Sequence, residues 1–390
     1  MKRPMTIAAS GLLMLVGACS ASGTLDEPKP GPTGAQPEGG AFTEAGPPDS
    51  GTDIDLDAAR PLVCGDAGFC ETRLPTSPLG LPLSLRSVWS VGPKDVWSVT
   101  LEGVVLHYDG TRWAIEYSAN HELYAVWATS TSVWAGGEGG LLLRRSAAGN
   151  WSRIDAGHVA SIRAIYGTGD DDVWFARGGS SLDRFDGTML KNIPTGVSGL
   201  EITTVFGRPG FGTYAAGYVP AELATSGILS DQPYVFELSS TGISVFSASL
   251  AEQRDFVPIS GVVTDSVDEQ RRVFLVGYEH SQLVYPTERY DYFNMKYCFV
   301  GDKNPVAIEL TYQMFGPQRV VDRPFPTLNY GGDDIRFVWN LGSVARWDRS
   351  VNTSLGMGYD FMPGEVSGAH NTSTEAWLVG DGFALKGAMP

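Results

Sequence analysis

The residues that could do chemistry in this chain of 390 are acidic side chains and imidazoles, and most of them are scattered. The densest acidic group is Asp170-Asp171-Asp172, which could hold a cation or supply an acid. The histidines follow neither the His-Glu-x-x-His spacing of zinc proteases nor a Gly-x-Ser-x-Gly nucleophile elbow. They are His107, His121, His158, His280 and His370.

The acidic triplet occupies a slot that other segments fill with turn residues. Pro93-Lys94-Asp95, Thr131-Ser132 and Asp333-Asp334 hold the same place relative to the flanking apolar runs. Asp suits such turns because its carboxylate hydrogen-bonds nearby backbone. The sequence therefore predicts a turn, and it identifies no catalytic residue, no metal ligand set and no cofactor. A glycosidase needs only two carboxylates, so 44 acidic residues leave an enzyme open as an alternative.

These residues lie in a chain that is organised by a sequence motif, which recurs about every forty residues. Val88-Trp89 with Asp95-Val96-Trp97 returns as Val126-Trp127 with Ser132-Val133-Trp134. The second aromatics of the first four phrases follow one another by 37, 40 and 40 residues, at Trp97, Trp134, Trp174 and Tyr214. A fixed period near 40 with short β-type runs is typical of a β-propeller, in which each repeat is one four-stranded blade.

The first repeat shows the four strands of a blade. The runs Ser87–Val91, Asp95–Thr100, Val104–Tyr108 and Trp113–Tyr117 are rich in β-branched and aromatic residues and are bounded by Gly, Pro or Asp. Seven aromatic anchors predict seven blades. They are Trp97, Trp134, Trp174, Tyr214, Phe274, Trp339 and Trp377. We therefore expect an all-β, seven-bladed propeller of antiparallel blades over residues 61–390.

The two ends of the propeller should pair with each other. The sequence ends at Pro390 after the third strand of the last blade, whereas a spare β-type segment at 71–76 precedes the first blade. We expect that segment to supply the missing outer strand and so remove an exposed sheet edge.

Spacing exceeds the period at two steps, which predicts insertions at about 218–233 and 286–324. The second candidate carries an aromatic cluster, and loops carry function more often than the scaffold does. Aromatic side chains give a large contact area with little loss of entropy, so this cluster is a candidate binding surface, although it could instead cover the side of the propeller. Its candidate residues are Tyr290, Tyr292, Phe293 and Tyr297.

The N-terminus is typical of a targeting segment. Lys2 and Arg3 precede the short apolar stretch 6–16, which is too short to span a bilayer. The run Leu15-Val16-Gly17-Ala18-Cys19 resembles a bacterial lipobox. That resemblance implies that residues 1–18 are a signal peptide, that Cys19 is acylated and anchors the chain to a membrane, and that the outer membrane is favoured because Ser20 follows. Ordinary secretion is the alternative.

Residues 19–60 should form a disordered tether. Positions 20–60 hold six Pro, seven Gly and eight acidic residues but one aromatic, a composition that cannot bury enough apolar surface to fold. The whole chain carries a net charge of −16, and loss of residues 1–18 leaves 26 basic against 44 acidic side chains, a net of −18. Such an acidic chain without basic runs does not fit nucleic-acid binding.

Four cysteines are present, and three remain if Cys19 is acylated. Cys64 and Cys70 are close in an exported chain, so we expect them to form a disulfide. Cys298 is then expected to be a buried free thiol.

The repeats resemble those of known propellers. The pairs Tyr108-Asp109, Phe185-Asp186 and Trp347-Asp348 close third strands, as an aromatic-Asp dipeptide does in WD40 repeats, and Asp109-Gly110-Thr111-Arg112-Trp113 is similar to an Asp-box. The chain most resembles exported bacterial propeller lipoproteins. That resemblance implies a binding or scaffold module at the cell envelope, whose partner is an envelope protein or a glycan. An envelope glycan hydrolase or lyase, with carboxylates at the channel mouth, is the alternative.

Overall fold

A computed structural model describes part of this chain. The described residues are 62–65, 68–77, 79–220, 231–246, 256–267, 270–284, 289–301, 312–314, 327–329, 335–338, 343–348, 353–358, 364 and 366–388, with backbone alone at 264–272 and 278–358. The predicted signal peptide, the tether and Cys19 lie outside these residues. No helix in this described part of the chain is long and apolar enough to cross a bilayer.

In the described residues, twenty-eight strands form seven antiparallel sheets of four strands each. The first strands of the sheets are β2 (Leu85–Gly92), β6 (Leu123–Ala128), β10 (Ala164–Gly169), β14 (Glu201–Arg208), β18 (Val257–Val267), β22 (Thr327–Asn329) and β26 (Val366–Asn371). The second strands are β3 (Asp95–Thr100), β7 (Val133–Gly137), β11 (Asp172–Ala176), β15 (Gly212–Val219), β19 (Gln270–Val284), β23 (Ile335–Val338) and β27 (Glu375–Gly380).

The third strands are β4 (Val104–Tyr108), β8 (Leu142–Arg145), β12 (Ser181–Phe185), β16 (Gln232–Ser239), β20 (Arg289–Gly301), β24 (Ser343–Asp348) and β28 (Phe383–Ala388). The fourth strands are β5 (Trp113–Ser118), β9 (Trp151–Ile154), β13 (Leu190–Pro194), β17 (Gly242–Val245), β21 (Tyr312–Met314), β25 (Thr353–Gly358) and β1 (Phe69–Thr72). A single 3₁₀ turn at Glu138–Gly140 is the one helical element of the described chain.

The seven sheets form a closed ring. Each first strand contacts the first strand of the next sheet, in the order β2, β6, β10, β14, β18, β22, β26 and back to β2. The prediction of a seven-bladed propeller is therefore confirmed, and we number the blades 1–7 from the sheet that begins with β2. Six predicted anchors lie on second strands and are at most 3% exposed where their side chains are described, whereas Trp339 lies outside the described residues.

The hydrophobic core lies between neighbouring blades. One buried cluster joins blades 2, 3 and 4 around Trp134 and Trp174, and another joins blades 7 and 1 around Trp377. Both faces of a blade are therefore covered, which explains why the strands read as nearly continuous apolar runs.

The ring closes through β1, which pairs with β28 from Phe69↔Gly387 to Thr72↔Ala384. The strand starts two residues before the predicted segment 71–76 and ends at Thr72. Pro75, which has no N–H, cannot continue the ladder. The Thr72 hydroxyl donates to Ala384 O at 2.9 Å and accepts from Trp113 Nε1 at 2.9 Å, so it ties blade 7 to blade 1.

The aromatic-Asp pairs mark tight turns after third strands. Asp109 Oδ1 accepts the Thr111 hydroxyl and the N–H groups of Arg112 and Thr111 at 2.9 and 2.8 Å, and these hydrogen bonds lower the pKa of Asp109 to about 2. Asp186 makes the same contacts to Thr188 and Met189 at 3.0 and 2.9 Å. The repeated dipeptide therefore has a structural cause, since the carboxylate replaces backbone acceptors in the turn.

Candidate functional site

The structure places the predicted cysteines as follows. Cys64 and Cys70 form a disulfide, as predicted. Cys298 lies on β20 opposite Leu275, and its side chain is outside the described residues. The acidic triplet also lies as predicted, because Asp170 and Asp171 form the turn between β10 and β11. Within the described ranges, no group of three or more His, Cys, Asp or Glu side chains is arranged to hold a metal ion.

Two faces of the propeller need names. The turn face carries the connections from first to second strands and from third to fourth strands. The hairpin face carries the connections from second to third strands. The first candidate insertion is on the hairpin face, between β15 and β16, and positions 221–230 of it lie outside the described residues.

Part of the second candidate insertion, at 286–324, is a strand. Residues 289–301 form β20, which pairs along its length with β19 from Arg289↔Val284 to Gly301↔Arg272. The sequence alternates through this run and pairs as a long hairpin, so the extra length of the repeat is partly strand. Positions 302–311 and 315–326 lie outside the described residues.

The β19–β20 hairpin extends beyond its blade on the hairpin face. β18 pairs with β19 no further than Val257↔Tyr278, yet six more β19–β20 pairs follow, from Glu279↔Asn294 to Val284↔Arg289. We call residues 279–284 and 289–294 the hairpin arm. At about 3.4 Å per residue, six pairs make it about 20 Å long.

The arm brings together three of the four predicted binding residues. Tyr290 and Tyr292 occupy alternate positions of the arm, and Phe293 lies opposite His280. Tyr297 is not in the arm, because it pairs with Val276, which is 1% exposed within the body of blade 5.

A second candidate site is the axis of the ring, where first strands converge. Trp89 of blade 1 lies 6.0 Å from the Tyr166 ring of blade 3 and 4.0 Å from the His370 ring of blade 7. Contacts across non-neighbouring blades require these rings to meet near the axis. Trp127 adds a fourth ring, 6.2 Å from Trp89.

The titratable groups of this cluster of four side chains, His370 and Tyr166, are held neutral. Burial lowers the pKa of His370 to about 3, and its Nδ1 accepts the N–H of Ser90 at 3.0 Å. Burial also raises the pKa of Tyr166, whose hydroxyl has no partner in the described structure. Neither group can exchange a proton readily near neutral pH, so the ring acts as packing.

Toward the hairpin face, a β-bulge recurs on five first strands, three positions before the aromatic position. The bulged residues are Arg86, Tyr124, Thr203, Ile259 and Ser367. A bulge re-aims one side chain, so the repeat places one re-aimed side chain at the same position of each of these five strands. These five positions carry no carboxylate. Arg163 of blade 3 lies over the Tyr124 ring at 5.6 Å.

The structure also shows a charged unit that sequence analysis missed. In blade 3, Asp172 Oδ1 accepts Trp174 Nε1 at 3.1 Å and Arg184 Nε at 2.7 Å. Arg184 lies over the Trp174 ring at 5.5 Å, so the acid, the indole and the cation form a closed trio.

The same trio recurs in two other blades. In blade 1, Asp95 Oδ1 accepts Trp97 Nε1 at 2.7 Å and contacts His107 Nε2 at 3.0 Å. In blade 7, Glu375 bonds Trp377 and Lys386 at 2.9 and 2.8 Å. The available signal was an acid two residues before the anchor and a basic residue nine or ten residues after it.

A separate buried pair lies on the hairpin face. His158 Nε2 is 2.7 Å from Asp183 Oδ2, and Asn192 donates to the other oxygen at 2.9 Å. The nearby Ser181 hydroxyl accepts from Arg177 and Asn192, and does not contact the imidazole. The pair therefore bridges blades 2 and 3 and has no nucleophile to activate.

Comparison with solved structures supports the fold. Virginiamycin B lyase from Staphylococcus aureus is 10% identical, with a TM-score of 0.53 over 80% of this chain and 98% of that one. YCF48 bound to D1 peptide is 14% identical, with a TM-score of 0.55 over 83% and 97%. The WD40 repeats of RRP9 are 8% identical, with a TM-score of 0.56 over 85% and 100%. At these identities, the likeness shows the propeller fold alone.

No protein-family model matches the chain, and no curated protein matches it in sequence.

Proposed function

We propose that this chain is an exported, lipid-anchored propeller of the bacterial cell envelope that binds a protein partner through the hairpin arm. Acylated Cys19 would hold it at a membrane, favouring the outer one, and residues 19–60 would act as a flexible spacer. The propeller is then a rigid base that presents the arm.

The observation that carries this proposal is the open backbone of the arm. Among the described residues, β18 stops at Val257 on one side, and β21 pairs only with Phe293–Met295 on the other. Unpaired strand edges bind extended peptides by adding a strand, with alternate side chains supplying specificity. Tyr290 and Tyr292 occupy such alternate positions. YCF48, a propeller of the same fold, has a peptide bound.

The glycan hydrolase or lyase alternative gains less from the geometry. Hydrolysis of a glycoside uses two carboxylates that flank one bond. The described first strands contribute the aromatic ring and the five bulged positions, and neither set contains an acid. The resemblance to virginiamycin B lyase concerns the fold.

The test is crosslinking capture from the native envelope with an arm-shortened variant. Residues 281–292 are removed, and His280 is joined to Phe293 through Asn-Gly. Because these two residues are directly opposite, a two-residue turn closes the shortened ladder without shifting its register. A Tyr290→Ser/Tyr292→Ser variant keeps the arm and changes only its side chains.

We expect one envelope protein to crosslink to the intact chain and to be lost from the shortened one, with partial loss in the tyrosine variant. Equal capture by the intact and shortened chains would exclude the arm as the binding site. Cys19→Ser tests the anchor separately: it should move the protein from the membrane fraction to the soluble fraction, and unchanged fractionation would refute acylation at Cys19.

A further inference from the structure

A polar cleft of about 340 Å³ lies between blades 1 and 2 on the turn face. Blade 1 contributes Lys94, Asp95 and His107, and blade 2 contributes Arg145 and the hydroxyl run from Thr129 to Ser132. Small-molecule sites usually measure about 300–1,000 Å³, so this cleft is large enough for one sugar-sized ligand.

The cleft is open because two side chains differ from those in the next interface. Between blades 2 and 3, Asp170 fills the corresponding space and accepts hydrogen bonds from Thr129 and Ser132, both at 2.6 Å. Ser130 occupies in blade 2 the position that Asp170 occupies in blade 3, because each lies four residues before the anchor tryptophan of its blade, Trp134 or Trp174. The shorter side chain of Ser130 does not reach blade 1.

The second difference is on the third strand. Phe185 pairs with Val173 and packs against Trp134 at 5.0 Å, which closes the interface between blades 2 and 3. Arg145 holds that place in blade 2, opposite Val133. The space that an aromatic ring and a carboxylate occupy at one interface is therefore lined by a cation and a hydroxyl at the other.

Positive charge concentrates in this cleft within a chain of net charge −16. Arg145 lies over Trp97 at 5.2 Å and reaches Glu116 only at 3.7 Å, so its guanidinium is fixed but weakly paired. Lys94 has no ion-pair partner among the described residues.

The acidic residue of the cleft, Asp95, already bonds side chains of its own blade. Asp95 accepts Trp97 Nε1 and contacts His107, and although partial burial acts in the opposite direction, these hydrogen bonds hold the pKa of Asp95 below its usual value. The carboxylate oxygen that bonds Trp97 and His107 is therefore engaged within blade 1, and Asp95 interacts with Arg145 only through charge at longer range.

We propose that this cleft binds a small hydroxylated anion, a sugar that carries a carboxylate or a phosphate group. Lys94 and Arg145 would bind the oxyanion, since both are donors without an acceptor role. The hydroxyls of Ser130, Thr131 and Ser132 would bind the sugar hydroxyls, because a hydroxyl keeps free lone pairs after donating. Thr129 Oγ1 is excluded, because it already accepts the N–H groups of Thr131 and Ser132 at 3.2 and 3.0 Å.

Calorimetric titration of the full chain with three probes tests this. Glucuronate and glucose 6-phosphate present the two oxyanions, and glucose is the uncharged control. We expect saturable binding of at least one anion with a Kd of about 1 mM or tighter, and no binding of glucose at that concentration. Which anion binds more tightly identifies the source of the oxyanion.

Two variants locate the site. Lys94→Ala should weaken anion binding about fivefold, and Ser130→Asp, which introduces the carboxylate that blade 3 carries, should weaken it about tenfold or more. Ser130→Asn separates size from charge and should weaken it less. Lys191→Ala and Thr241→Asp make the same charge changes on blades 3 and 4 and should leave the Kd within about twofold.

Three results would overturn the proposal: no saturable binding of either anion, equal binding of glucose, or unchanged affinity in Ser130→Asp. Thermal unfolding of each variant confirms that lost binding is not lost structure. Because the assay uses the purified chain and no partner, its outcome is independent of the hairpin arm.

Discussion

The interface between blades 2 and 3 and the interface between blades 1 and 2 are built from the same repeat but end differently. In the first, Asp170 bridges to the neighbouring turn and Phe185 packs against Trp134. In the second, Ser130 and Arg145 stand at those places and a cleft remains. One interface is closed by structural contacts and the other keeps a polar space.

This difference shows how a repeat fold separates stability from binding. The trio of acid, indole and cation is present on both sides of the comparison, in blades 1 and 3. What changes is the layer at the turn face, where two substitutions, Ser130 for Asp170 and Arg145 for Phe185, decide whether side chains bond across the interface or line a cleft. A binding site can therefore arise without disturbing the apolar core between the blades.

The largest expected effect is a loss of stability that differs between the trio of blade 3 and the trio of blade 1. Asp172→Ala should lower the free energy of unfolding by about 3 kcal/mol, because it leaves Arg184 (13% exposed) and the Trp174 N–H without their acceptor. Asp95→Ala should cost less than about 1 kcal/mol, because Asp95 is 37% exposed and solvent screens its contact with His107. Urea unfolding followed by tryptophan fluorescence measures both.

If the two variants lose the same free energy of unfolding, the trios of blades 1 and 3 are equivalent. The two interfaces would then differ only at Asp170 and Phe185 and the residues that replace them. Asp172→Asn is the control, since its amide oxygen can still accept the indole N–H, and it should lose less than the alanine variant.

The next largest effect is the loss of stability expected when Gly167, where blade 3 closely approaches blade 2, is changed to alanine. A Cβ on Gly167 would lie 2.8 Å from ring carbons of Trp127 and 2.8 Å from the Asp172 carbonyl oxygen. Gly167→Ala should therefore cost about 2 kcal/mol by forcing the blades apart. Blade 2 carries Ala128 at this position, so its interface with blade 1 already accommodates a methyl group. Gly92→Ala, whose Cβ would meet nothing within 4 Å, is the control and should be near neutral in the same urea experiment.

The sequence predicted the blade number, the first blade's strands, the disulfide and the Asp170 turn because these depend on local spacing. The insertion at 286–324 was predicted without the strand pairing of the hairpin arm, because period counting measures length, whereas the pairing of Tyr290 with Leu283 depends on register. The trios were missed because Asp95 and His107 meet only through the pairing of second and third strands. The cleft depends on a difference between blades, which no single repeat reveals.

A smaller effect is the pH dependence of stability, which tests the hydrogen bonds between Asp170 and the turn of blade 2. Hydrogen bonds from Ser132, Thr129 and Thr131 outweigh partial burial, which acts in the opposite direction, and hold the pKa of Asp170 below its usual value. A depressed folded pKa stabilises the protein above the unfolded value of about 3.9 and loses that contribution as pH falls through the folded pKa. Asp170→Asn should cost about 1 kcal/mol at pH 7 and progressively less below about pH 4. A constant difference between pH 7 and pH 3 would contradict the bridge.

The smallest effect comes from the reciprocal change on the open side. Ser130→Asp introduces at blade 2 the carboxylate that closes the interface at blade 3, but here it faces Lys94 and Arg145 in place of three hydroxyls. Because Ser130 is exposed, the new ion pairs should stabilise the fold by less than about 0.5 kcal/mol, and about 1 M salt should abolish the gain. Urea unfolding at low and high salt measures this. A gain that survives high salt would mean that the carboxylate forms a bridge like that of Asp170, and the two interfaces would then differ by one side chain and not by two.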